Sequence, residues 1–236
     1  SADLRAAATP DLASADLQAC VAMMQGGSKT FFAASRLLPL RVRAGAIALY
    51  AFCRVADDLV DQPGGGHASV RALHARLDRI YAGTPMDCVE DHALSLLVQE
   101  SALPRHLLDA LLEGFAWDAD GHCYETIEDV HAYGARVAGS VGAMSVRVFG
   151  APEAEGFGLG LGRTFQLTNI LRDVDEDAAR ERVYVPLDML AEAGIPDGPA
   201  AGIVAHPRFA GVCEALARRA EAGFAAAEAD LARRRD

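Results

Sequence analysis

The sequence predicts an all-α fold of about eight to ten helices packed as a bundle, and three observations support it. Apolar residues make up 51% of the 236 residues and aromatic residues only 6%, a composition typical of packed helices. Apolar side chains recur every three or four positions, as at Val42, Ala46, Leu49, Cys53 and Ala56. The sequence contains no convincing pair of strands. Its length fits a single domain over residues 1–236.

Caps and helix breakers define the helices in the first half of the chain. Ser14 is a suitable N-cap for a helix over residues 15–25, which the glycine pair at 26–27 ends. A Pro-Gly-Gly-Gly run at 63–66 ends the long helix that carries the spacing described above. The helices predicted in this half span residues 15–25, 31–38, 40–62, 67–81, 91–101 and 104–117.

The second half begins with a polar stretch at residues 118–124, which is predicted to be a loop. Residues 180–186 are predicted to be irregular, because the β-branched run there is short and is closed by Pro186. The helices predicted in this half span residues 126–149, 154–178, 187–193 and 207–234. The chain contains no sequence repeat, so one bundle is expected to hold all of these elements.

The charge and cysteine content exclude several classes of protein. A formal net charge of −11, with no basic stripe, argues against a nucleic-acid partner. The five cysteines are scattered and never form a C-x-x-C pair, which indicates reduced thiols. Asp3 and Arg5 interrupt the first apolar residues, so no signal peptide is expected. No segment reaches the ~18 apolar residues of a membrane span. We expect a cytoplasmic protein.

Two acidic clusters with matching spacing are the main functional signal. Asp57 and Asp61 are four residues apart, and so are Asp173 and Asp177. On a helix each pair projects two carboxylates from one face, and such a like-charge pair destabilises an isolated helix by roughly 0.2–0.5 kcal/mol. Because both pairs occur in apolar surroundings, the pattern indicates that a cation binds between them. The alternative is that both runs are solvated helix ends laced with salt bridges.

The second cluster continues a polar stripe along an otherwise apolar helix. Gln166, Asn169, Asp173 and Asp177 follow one another at spacings of three, four and four, with apolar residues on the other sides. A helix with this pattern is buried, and its polar line faces an interior site. Carboxylate and amide oxygens suit Mg²⁺, which takes few protein ligands and shares the rest of its shell with water and phosphate.

Arginines interspersed with these acids favour a metal–diphosphate site. Arg54 lies one turn before Asp58, Arg172 is adjacent to Asp173, and Arg182 follows the second cluster together with Tyr184. Arginine binds phosphate oxygens through paired hydrogen bonds, while Mg²⁺ bridges phosphate to carboxylate. The sequence therefore points to an enzyme that binds diphosphate esters.

The same residues resemble the signatures of the phytoene/squalene synthase family, and the likeness covers residues 17–195. The motifs occur in the family's order. They are SKTF at 28–31, LYAFCRVADDLVD at 49–61, VAGSVG at 137–142, QLTNILRDVDED at 166–177 and RVYVP at 182–186.

The resemblance implies an isoprenoid-synthase helical bundle with a central cavity and Mg-dependent prenyltransferase activity. The family condenses two prenyl diphosphates head to head. The implied metal ligands, for Mg²⁺ or Mn²⁺ as a substitute, are Asp57, Asp61, Asn169, Asp173 and Asp177. The implied substrate-binding residues are Ser28, Lys29, Thr30, Arg54, Gln166, Arg172, Arg182 and Tyr184, while Tyr50 and Tyr133 are implied to act catalytically near the reacting carbons.

Two small residues of the middle motif have two interpretations. Ala138 and Gly142 either leave room for a polyprenyl tail, as substrate-binding residues, or allow two helices to pack closely. The sequence does not choose between the two.

The resemblance leaves two substrates open. Residues 48–58 and 111–121 are most similar to bacterial phytoene synthases, which implies condensation of geranylgeranyl diphosphate to phytoene through prephytoene diphosphate, without NADPH. Residues 145–150 and 171–180, including Asp175, are closer to enzymes that make presqualene diphosphate or squalene from farnesyl diphosphate for hopanoids. Family members usually continue past the position of residue 236 with further helices, and this sequence is expected to lack those C-terminal helices. Greasy substrates imply peripheral contact with the inner face of the membrane. The oligomeric state is left open.

Two functions from other classes fit the sequence less well. A carboxylate-bridged di-iron bundle needs two Glu-x-x-His motifs, and only Glu128 with His131 provides one. A non-enzymatic helical adaptor would leave the acids in apolar helices unexplained.

Overall fold

The computed structural model describes residues 15–234, in which the regular structure is helical with no strand among them. The predicted all-α class is therefore confirmed, while the proposed capping residue Ser14 lies outside the described part. The helices are α1 Ala15–Gly27, α2 Lys29–Ser35, α3 Leu40–Asp61, α4 Gly66–Tyr81, α5 Val89–Ser101, α6 Arg105–Ala119, α7 Ile127–Gly134, α8 Ser140–Val148, α9 Glu155–Arg172, α10 Val174–Ala179, α11 Leu187–Glu192, α12 Ala200–Val204 and α13 Phe209–Arg233. A π-helical turn, Ala135–Gly139, joins α7 to α8, and a 3₁₀ turn, Pro152–Ala154, precedes α9.

Two apolar clusters form the core. The first joins α1, α3, α4, α5, α6 and α8 around fully buried side chains such as Phe52 and Leu108. The second joins α7, α9, α11, α12 and α13, with Leu216 at its centre. Val137, in the π turn, packs against both clusters. The acidic helices α3 and α9 belong to different clusters, so the junction between the clusters determines how the acids face each other.

The predicted helix over residues 126–149 is interrupted at the junction of the two clusters. Thr126, where the predicted helix begins, caps α7 through a complete capping box with Asp129. Five residues, Ala135–Gly139, then follow π geometry before α8 begins. A π turn widens the helix and changes the direction of the side chains beyond it.

The predicted helix over residues 154–178 is also two helices. At Asp173 the backbone φ is −101° and ψ is 12°, so α9 ends at Arg172 and α10 begins at Val174. The hydrogen bonds from the Asp173 N–H to the Asn169 carbonyl (2.9 Å) and from the Asp177 N–H to the Asp173 carbonyl (2.8 Å) are retained. The break is a bend rather than a separation, and all three residues stay on one side of the chain. The short helix α12 was not predicted.

Helices α8 and α9 make backbone contact where they cross. A Cβ atom added at Gly142 would overlap the carbonyl oxygen of Gly158, and one added at Gly162 would overlap the carbonyl oxygen of Ala138. These contacts explain the small residues of the middle motif by helix packing. Close packing here holds α9 and its polar stripe against the π turn and α8.

All five cysteines are free, in agreement with the sequence. No helix in the described part of the chain combines the length and apolarity needed to cross a membrane.

Replacing Gly142 by alanine should lower the free energy of unfolding by about 1–3 kcal/mol or more, because two backbones must separate. Gly160→Ala, on the same helix pair, is the matched control. A Cβ there meets nothing within 4 Å, so it should raise the free energy of unfolding by about 0.5–1 kcal/mol through a better helix propensity. Urea unfolding followed by circular dichroism measures both. Equal effects of the two changes would contradict the packing described for Gly142.

Candidate functional site

The structure brings both acidic clusters to one cleft of about 150 Å³. Asp57 and Asp61 reach it from the last turns of α3, Asp173 reaches it from the bend between α9 and α10, and Asp177 reaches it from α10. The other residues that line it are Val60, Phe115, Asp118, Tyr133, Gln166, Asn169, Ile170, Arg180, Arg182 and Tyr184. The whole polar stripe of α9 therefore faces the acids of α3.

Arginines from the second half of the chain cross the cleft to Asp61. Arg180 Nη1 lies 2.9 Å from Asp61 Oδ2, and Arg182 Nη1 lies 3.2 Å from Asp61 Oδ1. These two ion pairs link residues that are 119 and 121 positions apart. The Asp61 side chain is 30% exposed, so water screens the pairs only in part. They hold the end of α3 against the segment that follows α10.

Two other arginines pair with acids at the edge of the cleft. Arg172 donates two hydrogen bonds of 2.6 Å to the carboxylate of its neighbour Asp173. Arg54 Nη2 lies 2.7 Å from Asp58 Oδ1, while its Nη1 is 3.8 Å from Asp57. Neither arginine lines the cleft itself. Each is placed beside it, where its charge acts on the acids within.

The acids in the cleft carry excess negative charge that their neighbours only partly neutralise. Burial, and then the charge of Asp61, raises the pKa of Asp57 to about 6. Burial, and then the charge of Asp173, raises the pKa of Asp177 to about 6. Both carboxylates would be stabilised in the charged form by a cation bound between them.

Asp118 is a site residue that the sequence reasoning missed. The polar composition of residues 118–124 predicts a loop, but Asp118 lies in the last turn of α6 and lines the cleft. Its carboxylate accepts hydrogen bonds from Tyr133 Oη (2.8 Å) and Tyr184 Oη (2.7 Å). Burial raises its pKa despite these bonds. The spacing Leu111, Phe115, Asp118 places it on the buried face of α6, and this periodicity was a signal in the sequence.

Three tyrosine rings surround this carboxylate. The Tyr133 and Tyr184 rings are stacked with centroids 5.2 Å apart, and the Tyr124 ring lies 5.2 Å from Tyr133. Burial raises the pKa of all three phenols. Asp118, Arg182 and Tyr184 also line a second cavity of about 150 Å³, so together they form a wall between two spaces.

The residues of the first motif lie beside the cleft rather than in it. Ser28 caps α2, with its hydroxyl accepting the Phe31 N–H at 3.2 Å. The Phe31 ring lies 5.7 Å from the Tyr50 ring, and a Cβ at Gly27 would lie 2.6 Å from the Tyr50 hydroxyl oxygen. The start of α2 therefore contacts α3 one turn before Arg54. Lys29 is exposed, and the side chain of Thr30 is outside the described part.

Ala138 and Gly142 do not line the cleft. Both lie at the crossing of α8 and α9 described above. Of the two interpretations that the sequence left open for them, close helix packing is the one that their contacts support.

Among the described residues, only one group of three acidic, cysteine or histidine side chains has ligand atoms that all lie within 4.8 Å of one another. It consists of Cys88, Glu90 and Asp91. Arg76 binds it, with Nη2 at 2.6 Å from Glu90 Oε1 and from Asp91 Oδ1, so the group is an ion-pair network between α4 and α5. The cleft acids are spaced more widely than a closed single-ion cage requires.

The cleft does not have the ligand set of a di-iron centre. No histidine and no glutamate is among the residues that line it. His131 lies on α7 outside the cleft, where burial, and then the charge of Arg163, lowers its pKa.

The fold and the site define a class of protein: an all-helical bundle in which two aspartate-bearing helices face one cleft. Comparison with known proteins identifies the family. The chain belongs to the squalene/phytoene synthase family, whose model matches residues 24–236. It is 49% identical over 189 residues to the phytoene synthase of Rhodobacter capsulatus, covering 78% of this chain and 56% of that protein. It is 43% identical over 233 residues to the phytoene synthase of Cereibacter sphaeroides, covering 93% and 66%. The chain thus spans less than two thirds of the length of either.

Two further comparisons extend the likeness. The presqualene diphosphate synthase of Rhodopseudomonas palustris is 38% identical over 205 residues, covering 84% of this chain and 73% of that protein. The crystal structure of a dehydrosqualene synthase in complex with ligand superimposes with a TM-score of 0.81 at 30% identity, covering 90% of this chain and 75% of that one. The predicted family and fold are confirmed.

Without added divalent cations, the free energy of unfolding should rise as the pH falls from about 7 to about 5. The folded-state pKa values of Asp57 and Asp177, about 6, lie above the ordinary value of 3.8. The folded state therefore binds protons more readily than the unfolded one, and this contribution is lost as the pH rises through 6. Thermal unfolding of an Asp57→Asn/Asp177→Asn variant should show a shallower pH dependence. The exposed Asp175→Asn variant should match the parent, and a parent-like slope in the double variant would contradict the assignment.

Proposed function

We propose that this chain catalyses head-to-head condensation of two geranylgeranyl diphosphates to phytoene through prephytoene diphosphate, in carotenoid biosynthesis. One observation carries the proposal: an aspartate pair from α3 and a second pair from the α9–α10 bend and α10 face each other across one cleft, which Arg180 and Arg182 also line. Membership of the family and identities of 49% and 43% to two phytoene synthases support it.

The residues of the cleft fit Mg²⁺, with Mn²⁺ as a substitute. Their donors are carboxylate and amide oxygens, which hard divalent cations prefer. Burial and a neighbouring carboxylate raise the pKa values of Asp57 and Asp177, and a cation bound beside them would favour their charged forms. The wide spacing of the acids suits ions that keep water and phosphate in their shells. The residues that would hold them are Asp57, Asp61, Asn169, Asp173 and Asp177.

When bound, Mg²⁺ supplies charge neutralisation for the departing diphosphate. The chain's own cationic groups add to this. Arg182 lies in the cleft, and Arg54 and Arg172 lie at its edge, where each can exchange a carboxylate partner for a phosphate oxygen. Gln166 faces the same space, and Ser28, Lys29 and Thr30 belong to the neighbouring segment beside Tyr50.

The apolar and aromatic side of the cleft suits the cationic stage of the reaction. The diphosphate leaves with its bonding electrons, and the double bond of the second substrate attacks the allylic cation. Loss of a proton then closes the cyclopropane ring. Val60, Phe115 and Ile170 are the apolar residues of the lining, and the tyrosine faces can stabilise positive charge. Asp118 fixes the Tyr133 and Tyr184 hydroxyls, which holds both rings in place. Tyr50 lies outside this group, next to Phe31.

The second candidate is formation of presqualene diphosphate or squalene from farnesyl diphosphate. The likeness of residues 171–180 to hopanoid enzymes and the 38% identity to a presqualene diphosphate synthase favour it. Both candidates use the same cleft and differ in the length of the prenyl chain. Either set of greasy substrates would bring the protein to the inner face of the cell membrane as a peripheral protein.

Asp57→Ala and Asp173→Ala should each reduce Mg²⁺-dependent diphosphate release by about 10²-fold or more, because each removes a ligand that acts on the developing charge. The circular dichroism spectrum should keep its helical form. Asp175→Ala is the matched control, since its side chain is exposed on α10 and does not line the cleft. Turnover in either cleft variant equal to that of the control would refute the metal assignment.

Incubation with C20 or C15 diphosphate, each with and without NADPH, separates the two candidates. Phytoene formed from the C20 substrate without NADPH is the expected result, because that product needs no hydride. Mass spectrometry of the extracted hydrocarbons identifies the product. Presqualene diphosphate or squalene made from the C15 substrate alone would replace the first candidate by the second.

A further inference from the structure

A long acid-free stretch stands out in this acidic chain. Between Asp16 and Asp57 the sequence contains no aspartate or glutamate, although the whole chain has a net charge of −11. The same stretch contains five basic residues, Lys29, Arg36, Arg41, Arg43 and Arg54. Arg54 is used beside the cleft, as described above. The others lie on α2, on the first turn of α3, or in the segment between them.

The turn between α2 and α3 exposes two leucines among these charges. Leu37 is 87% exposed and Leu40 is 62% exposed, on either side of Pro39. Arg36 and Arg41 flank them, and both side chains are exposed. Within residues 15–234, neither arginine has an ion-pair partner. We call Arg36, Leu37, Leu40 and Arg41 the basic corner.

The fold holds the basic corner in a fixed conformation. Arg43 Nη2 donates hydrogen bonds to the carbonyl oxygens of Arg36 (2.8 Å) and Leu38 (2.9 Å). The hydroxyl of the buried Ser35 donates to the Phe32 carbonyl at 2.8 Å, and Pro39 restricts the backbone between the two leucines. The turn therefore exposes the leucines on a backbone that these hydrogen bonds already fix. Binding to a surface needs no further ordering of that backbone.

The basic corner lies at the far end of α2 from the acids. The start of α2 touches Tyr50 near Arg54, and its seven residues extend about 10 Å at 1.5 Å per residue. The diphosphate end of a substrate belongs with the acids and arginines. The corner therefore lies away from the charged end of the site.

We propose that the basic corner is the point at which this protein docks on a membrane that contains anionic lipids. The proposal rests on the proposed function, since polyprenyl substrates and products reside in such a membrane. Leu37 and Leu40 would enter the acyl boundary, while Arg36 and Arg41 contact the lipid phosphates. Charge complementarity selects this occupant. Two copies of the chain meeting through the same corner would bring four unpaired arginines together.

Sedimentation of the protein with lipid vesicles tests the docking surface. Vesicles of phosphatidylcholine that contain about 30 mol% phosphatidylglycerol should bind more protein than vesicles of pure phosphatidylcholine. The Arg36→Gln/Arg41→Gln variant should bind anionic vesicles about tenfold or more weakly, and Leu37→Gln should bind them about tenfold more weakly. Matched controls are Arg71→Gln/Arg218→Gln, two exposed arginines elsewhere, and Leu231→Gln, a 40% exposed leucine on α13. Both controls should bind like the parent.

A second measurement separates failure of the docking surface from failure of the proposed function. Diphosphate release from detergent-dispersed substrate should be the same in the corner variants and the parent, because no corner residue lines the cleft. Corner variants that bind vesicles like their controls would overturn the docking proposal while leaving the enzyme assignment intact. A corner-dependent dimer, seen by analytical ultracentrifugation together with unchanged vesicle binding, would also overturn it.

Discussion

The gathering of aspartates in one partly buried cleft is the constraint on which the rest of the structure depends. Five carboxylates line one partly buried space, and burial together with a neighbouring carboxylate raises the pKa values of Asp57 and Asp177. The structure tolerates this because Arg180 and Arg182 reach across to Asp61, and because two apolar clusters hold the opposing helices. A fold that keeps like charges together in this way has a lower free energy of unfolding, and in return it has a site for cations and anionic esters.

Local sequence patterns predicted the helices well, since each buries one apolar face and ends at a proline, a glycine or a cap. They failed where the chain changes its helical geometry. The π turn at Ala135–Gly139 and the bend at Asp173 keep helical hydrogen bonding, so residues around them still have helical periodicity. Both irregularities lie where parts of the chain distant in sequence meet: Val137 of the π turn packs against both clusters, and Asp173 lines the cleft.

The site was predictable where its residues are close in sequence and less so where they are not. The aspartate pairs and the stripe from Gln166 to Asp177 are recognisable because their residues are three or four positions apart. Asp118, by contrast, is a single acid near a helix end. Its role depends on Tyr133 and Tyr184, which lie 15 and 66 positions away. The arginine partners of Asp61 likewise depend on tertiary structure. From the sequence, Arg182 is expected to bind phosphate and Arg180 is not expected to belong to the site.

The crossing of α8 and α9 has a consequence for how this scaffold can diversify. Where Gly142 meets Gly158, the two main chains touch with no side chain between them. That contact is a hard stop, and the separation of these helices cannot be tuned by exchanging one residue for a slightly larger or smaller one. Differences in the length of ligand that related proteins accept must therefore arise on other walls of the interior, while the separation of α8 and α9 stays fixed.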